Sequence, residues 1–153
     1  MSELKLDEFG DRMIKIIPKL RCELGRYETN TLNRRDITTT QLSVLECLST
    51  RGHCKMQVLV DALKVKFSGV TAIIDRLVKT GFVTRKHGKE DRRTVFVTLS
   101  AKGRKVLAEV YQQRRKGYMQ VFSQVSAQDR EKYLTILEKI VENLSCHSHQ
   151  SKN

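Results

Sequence analysis

The spacing of hydrophobic residues changes part-way along the stretch from Lys66 to Ser100. In its first half, apolar side chains recur every three or four residues, which predicts an amphipathic helix that ends at Gly81. In its second half, β-branched and aromatic runs over residues 82–87 and 94–99 predict two strands, joined by a charged six-residue loop. A helix followed directly by a hairpin with a basic tip is typical of a winged helix, in which the helix fills the DNA major groove and the hairpin reaches the backbone and minor groove.

The chain before this stretch has the patterns of three helices. Pro18 interrupts the apolar stripe of the first, so we expect either a kink there or two consecutive helices. Residues 30–36 read as a polar connection. Thr38 with Gln41 offers a capping box for a second helix that ends at Gly52, and a short third helix is centred on residues 58–63. The stripe of the first helix consists of Leu6, Phe9, Met13, Ile16, Ile17, Leu20, Leu24 and Tyr27.

Two more helices are predicted after the hairpin. Ser100 can cap a long one, and Ser126 with Asp129 starts the last, which carries an apolar stripe from Tyr133 to Leu144. The basic residues 114–116 read as a solvated face, with an approach to flanking DNA as the alternative. Apolar stripes at both ends of the chain predict an intertwined homodimer, which would present two recognition helices to a pseudopalindromic site.

Charge narrows the choice of partner. The chain has 29 Lys and Arg against 17 Asp and Glu, a net charge of +12 over 153 residues. Residues 85–105 hold eight basic and two acidic side chains, so this short segment supplies a net +6, half of the excess. A polyanion such as double-stranded DNA is the expected partner. Two classes remain: a sequence-specific regulator and a nonspecific architectural nucleic-acid-binding protein, whose binding would depend steeply on salt.

Other classes are disfavoured by what the sequence lacks. It has no recognisable arrangement of nucleophile, base and orienting acid and no phosphate-cradling glycine loop, so we expect no enzyme activity and no cofactor. No apolar run approaches a membrane span and no signal segment begins the chain, so we expect a cytoplasmic protein without membrane association. Reducing conditions there argue against a disulfide framework among the four cysteines.

Five blocks in the centre of the chain resemble the core motifs of MarR-type transcriptional regulators. In order they are residues 70–77 (VTAIIDRL), 81–83 (GFV), 90–93 (EDRR), 97–99 (VTL) and 102–103 (KG). Residues 37–42 resemble the start of that family's second helix, so the resemblance covers residues 37 to about 103. The sequence departs from the family pattern at three lysines: Lys55 and Lys66 stand where a hydroxyl cap is common, and Lys64 where glycine is common.

The resemblance implies an α+β fold that is mostly α, a winged helix-turn-helix with N- and C-terminal helices forming a dimerisation region. We expect a dimerisation helix over 1–36, the DNA-binding domain over 37–100, C-terminal dimerisation helices over 101–145 and a polar tail over 146–153. It further implies repression released by a small-molecule or oxidant signal. The ligand expected in this family is a small lipophilic or phenolic anion, bound between the dimer-forming helices and the DNA-binding lobe.

Candidate DNA-contacting residues lie on the recognition helix and the wing. Arg76 could read a guanine edge or hold a phosphate, and phosphate contact is favoured. Ser68 and Gly69 either bind phosphate or serve the helix start as cap and tight turn. In the wing, Arg93 matches the family's wing arginine, whereas a solvated charged turn is the alternative. The recognition-helix set is Ser68, Gly69, Thr71, Ala72, Arg76 and Lys79, and the wing set is Lys89, Asp91, Arg92 and Arg93.

Asp91 is expected to orient the wing, and Asp75 to pair with a basic side chain across the domain. Among the cysteines, Cys22 is the candidate redox thiol, although a small buried hydrophobe is the favoured interpretation. Cys47 is expected in the core, and Cys54 is left open. The tail around Cys146 offers at most three metal ligands, so a disordered tail is favoured over a metal site.

Overall fold

The computed structural model describes residues 4–88 and 94–150, and for residues 146–150 the backbone alone. It confirms the predicted fold class: a mostly helical chain with a small antiparallel sheet. The elements are α1 (Leu6–Arg35), α2 (Thr39–Arg51), β1 (His53–Lys55), α3 (Met56–Leu63), α4 (Phe67–Lys79), β2 (Val83–His87), β3 (Val95–Leu99), α5 (Ala101–Val121) and α6 (Ala127–Gln150). Within the described residues, no helix is long and apolar enough to cross a bilayer.

The sheet has the order β1-β3-β2, and β1 is a strand that the sequence analysis missed. It has only three residues, too few for an alternation to be recognised. Cys54 at its centre is 3% exposed and pairs with Val97, while His53 and Lys55 are exposed. Cys54, whose environment the sequence did not predict, is therefore a core residue.

The first helix corrects two expectations. α1 continues through Pro18, so the alternative of two consecutive helices is wrong. Residues 30–35 are helical and not a connection, and within them Thr31 is buried and Leu32 belongs to the hydrophobic core. The helix ends at Asp36, whose φ of 51° lies in the left-handed region. The Asp36 amide donates to the Asn33 carbonyl, and the Ile37 amide donates to that of Leu32, which completes a Schellman motif.

Other predicted helix boundaries are confirmed by their hydrogen bonds. Thr38 and Gln41 form both halves of a capping box, and Gly52 ends α2. The Gly103 amide donates to Ser100 Oγ at 2.9 Å at the start of α5. The Asp129 amide donates to Ser126 Oγ at 3.1 Å at the start of α6. α6 extends to Gln150, beyond the predicted end at 145, so the predicted disordered tail is helical as far as that residue.

The chain divides into two compact units, Met1–Gly117 and Tyr118–Asn153. The first unit contains the hydrophobic core, to which α2, α3, α4, the sheet and the first turns of α5 contribute. The second contains a row of stacked rings in which Phe122 lies 5.4 Å from Tyr133 and 6.4 Å from Tyr118, centroid to centroid.

Candidate nucleic-acid interface

α4 has one buried and one exposed face. Val70, Ile74 and Leu77 are buried in the core, as their helical spacing predicts. Of the six residues assigned to the outer face, Ser68, Ala72, Arg76 and Lys79 are exposed, whereas Gly69 and Thr71 flank buried Val70 and are partly buried. The structure therefore brings four members of the recognition-helix set onto one surface.

The structure at the start of α4 distinguishes the two roles considered for Ser68 and Gly69, phosphate binding and a cap or tight turn at the helix start. The N-cap is Lys66, and its side chain makes no capping bond, so Ser68 does not cap the helix. A Cβ atom added at Gly69 would lie 2.8 Å from Val65 Cγ1, and the Gly69 amide donates to the Lys66 carbonyl at 2.9 Å. Gly69 therefore serves the close approach of this turn, whereas the Ser68 side chain remains available to a ligand.

Two ion pairs fix charged side chains around α4. Arg76 donates to Asp36 Oδ2 at 2.7 Å, which ties the recognition helix to the end of α1. Arg85 on β2 pairs with Asp75 at 2.5 Å, which confirms the prediction that Asp75 pairs across the domain. Because Asp36 is 85% exposed, its pair with Arg76 contributes at most about 1 kcal/mol, so a phosphate can replace it.

The hairpin that carries the wing is formed as predicted. β2 and β3 pair antiparallel from Val83 opposite Leu99 to His87 opposite Val95. The Gly88 amide then donates to the Thr94 carbonyl at 2.8 Å, which closes the described part of the hairpin. The wing candidates themselves, Lys89, Asp91, Arg92 and Arg93, lie outside the described residues, and their contacts stay predictions.

The motif blocks after α4 form a structural joint between the helix, the hairpin and α5. Ser100 Oγ donates to the Gly81 carbonyl at 2.6 Å, and Lys102 Nζ donates to the Thr80 carbonyl at 2.6 Å. Gly103 lies so close to the Phe82 carbonyl that no Cβ atom fits there. These contacts set the position of the β2–β3 hairpin relative to α4, a role that the sequence analysis did not assign to these residues.

Arg114 corrects the interpretation of the basic cluster at 114–116. Its guanidinium donates two bonds to Glu28 at 2.8 and 2.9 Å and one to Glu46 at 2.6 Å. The bonds to Glu28 raise the pKa of Arg114 further above its ordinary value, so the group stays charged. Arg115 and Lys116 are exposed, as predicted for a solvated face. Arg114 instead links α1, α2 and α5.

The cysteines fall in three environments. Cys22 is exposed on α1, not buried as the favoured interpretation required; its redox role stays a prediction. Cys47 packs against the core, as expected. Burial raises the pKa of the Cys54 thiol above its ordinary value, and the neighbouring Cys47 raises it further, so Cys54 remains protonated at neutral pH.

An open cleft of about 740 Å³ lies along the last turns of α1. Its lining combines two arginines, an aromatic ring and amide side chains. Thr31 also lines it, and its Oγ1 is buried without a hydrogen-bond partner in the described part of the chain. The cleft can therefore hold a small polar or anionic molecule. The other lining residues are Glu23, Arg26, Tyr27, Asn30, Asn33, Arg34 and Gln113.

Comparison with known proteins agrees with this geometry. The profile described as MarR family matches residues 37–95, which include α2, α3, α4 and β2 and end at the first residue of β3. The HTH-type transcriptional regulator YfiV of Bacillus subtilis (strain 168) is 29% identical over 128 residues, 82% of this chain and 80% of that protein. The chain belongs to the MarR family. It is a DNA-binding transcriptional regulator of that family.

Two solved structures share the fold of this MarR-family chain. A mutant of MarR from E. coli, complexed with operator DNA, has a TM-score of 0.65 at 23% identity and covers 89% of this chain and 98% of its own. NadR in complex with 4-hydroxyphenylacetate has a TM-score of 0.64 at 25% identity, covering 93% of this chain and 94% of its own. Both likenesses extend well beyond the matched motif region into the terminal helices.

Proposed function

We propose that this MarR-family chain is a repressor that binds a pseudopalindromic operator as a homodimer. The outer face of α4 enters the major groove, and the wing residues Lys89, Asp91, Arg92 and Arg93 contact the backbone and minor groove. The observation that carries this proposal is the outer face of α4, where small and polar groups permit close approach and Arg76 and Lys79 supply positive charge.

The exposed apolar residues of the terminal helices support the homodimer. In the α1 stripe, Leu6 is 84%, Ile16 52% and Phe9 45% exposed, although all three are large hydrophobic side chains. α6 has no buried residue among those described, yet Leu137, Ile140 and Leu144 lie on one side of it. Such stripes need a partner surface, and a second copy of the chain offers complementary ones.

The cleft along α1 supports release by a small molecule. Arg34 supplies positive charge, Arg26 is paired with Glu23, Tyr27 offers an aromatic surface, and the buried Thr31 hydroxyl has no partner among the described residues. A phenolic carboxylate matches this combination, and NadR binds 4-hydroxyphenylacetate. Binding there shifts DNA affinity only if the ligand prefers one arrangement of the recognition helices over the other.

Selection of bound fragments from random duplex DNA at physiological salt tests the proposal. We expect an enriched inverted repeat, bound at least about 10³-fold more tightly than a scrambled duplex. Addition of 4-hydroxyphenylacetate to the complex provides a second readout, with a fall in operator affinity expected. Equal affinity for all duplexes with a steep salt dependence would instead identify the architectural class.

A further inference from the structure

α4 begins with an exposed aromatic side chain. Phe67 is 54% exposed, although burying a phenylalanine contributes about 1.5–3 kcal/mol. Among the described residues of the winged helix, residues 37–88 and 94–100, the other exposed large hydrophobic residue is Val78, at 38%. The ring therefore stands out on a domain whose remaining large apolar side chains are covered.

Two methyl groups continue this apolar surface along the helix. Thr71 lies one turn after Phe67, and its hydroxyl donates to the Phe67 carbonyl at 3.0 Å. Because that bond holds the oxygen against the helix backbone, the methyl group is the part of Thr71 left for contact. Ala72, next to it, is exposed. Phe67 and the Thr71 methyl group, one turn apart, thus form an apolar strip along one side of α4, and Ala72 borders this strip on the exposed face.

Positive charge lies at both ends of the strip. Lys64 and Lys66 precede it and are exposed, and Arg76 and Lys79 follow it on the same helix. An apolar strip between cations matches the major groove of duplex DNA, where apolar groups on the bases lie between two rows of phosphates. If the partner were instead a hydrophobic protein surface, the strip would not need cations at both of its ends.

We propose that Phe67, together with Thr71 and Ala72, reads the 5-methyl groups of thymine in the operator. Thymine is the base that presents a methyl group in the major groove, whereas the other base edges present donors and acceptors that a phenyl ring cannot pair. This inference rests on the proposed function, because it requires α4 in the major groove. The inference adds Phe67 to the candidate DNA-contacting residues and names thymine as the base that Phe67 selects.

The test uses the inverted repeat that the wild-type protein selects from random duplex DNA. Each thymine of a half-site is replaced in turn by deoxyuridine, which removes the methyl group and keeps the hydrogen-bonding edge. We expect one or two positions at which this replacement weakens wild-type binding about 4-fold, the effect of one buried methyl-sized group. Phe67→Ala should bind the thymine duplex more weakly and lose the difference between thymine and uracil at those positions.

Val78→Ala is the matched control, because it shortens the other exposed apolar residue of α4 and should keep the uracil sensitivity. If Phe67→Ala binds too weakly to titrate, Phe67→Leu should retain the sensitivity and Phe67→Asn should lose it. Wild-type tolerance of uracil at every position, or full sensitivity in Phe67→Ala, would overturn the inference while leaving the enriched repeat in place. Failure to enrich any repeat would overturn the proposed function itself and this inference with it.

Discussion

Three lysines occupy positions where a helix usually has a more favourable residue. Lys55 and Lys66 are the N-caps of α3 and α4, and neither side chain makes a capping bond. Lys64 ends α3 with a φ of 53°, a conformation that favours glycine. All three cluster around the two helices of the helix-turn-helix. In the proposed complex with DNA, these lysines place positive charge near the phosphates at the expense of helix-end stability.

Replacing Lys66 by serine should separate these two effects. The hydroxyl can accept a bond from the first turn of α4, so we expect the free energy of unfolding to rise by about 1 kcal/mol in urea titrations. Loss of one cation near phosphate should weaken binding to all duplexes and reduce the slope of log affinity against log salt by about 1. Lys66→Ala is the matched control for charge alone, because it removes the cation without offering a capping hydroxyl. An unchanged salt slope in Lys66→Ser would place this lysine away from the phosphates.

Sequence reasoning succeeded where the interacting residues are close in the chain. The caps at Thr38, Ser100 and Ser126 each involve residues three positions apart, so their spacing alone predicts them. The pair of Arg76 with Asp36 joins residues 40 positions apart and could not be predicted, because it depends on where α1 ends relative to α4. Phe67 was not recognised as exposed either, because its exposure depends on how distant parts of the chain pack around the start of α4.

At the scale of elements, the link between α1, α2 and α5 depends on side chains whose direction the sequence leaves open. Successive helical residues are about 100° apart, so only one of the three basic residues at 114–116 points toward α1 and α2. Gly117 is buried against the Tyr27 ring, where a Cβ atom would lie 2.8 Å from Cδ2. Glycine at position 117 therefore allows α1 to pack against α5.

Arg114→Met should destabilise the chain, because Glu28 and Glu46 would remain partly buried without their shared cation. We expect the free energy of unfolding to fall by about 2 kcal/mol, in the range found for hydrogen bonds to charged groups. Adding Glu28→Gln and Glu46→Gln to the variant should restore part of this loss, since the uncompensated charges are then removed. Arg115→Met, one residue along and exposed, should change stability by less than about 0.5 kcal/mol. Equal effects of the two arginine substitutions would contradict a linking role for Arg114.

At the scale of the whole molecule, the sequence predicted the winged helix well because its buried residues recur with the period of a helix or of a strand. Val70, Ile74 and Leu77 recur at helical spacing, and the strands on either side of the wing have β-branched runs. The terminal helices were predicted less well. Their apolar stripes predict α1 and α6 as helices, but many of the stripe residues are exposed among the described residues, so neither the helix ends nor their contacts follow from periodicity. In the proposed homodimer, a second copy of the chain covers these residues.

Ile140→Glu on α6 tests the assembly directly. The side chain is 48% exposed and lies on the stripe with Leu137 and Leu144, so a carboxylate there would be desolvated in a dimer without a partner. We expect sedimentation to give twice the 17.7 kDa of one chain for the wild type and the single-chain mass for the variant. The variant should bind the full inverted repeat no more tightly than one half-site, because each monomer carries one recognition helix. Lys139→Glu is the control: it makes a larger change in charge one residue away and off the stripe, and should leave the dimer intact. A wild type that sediments as a single chain, or an Ile140→Glu protein that remains dimeric, would show that α6 is not part of the interface.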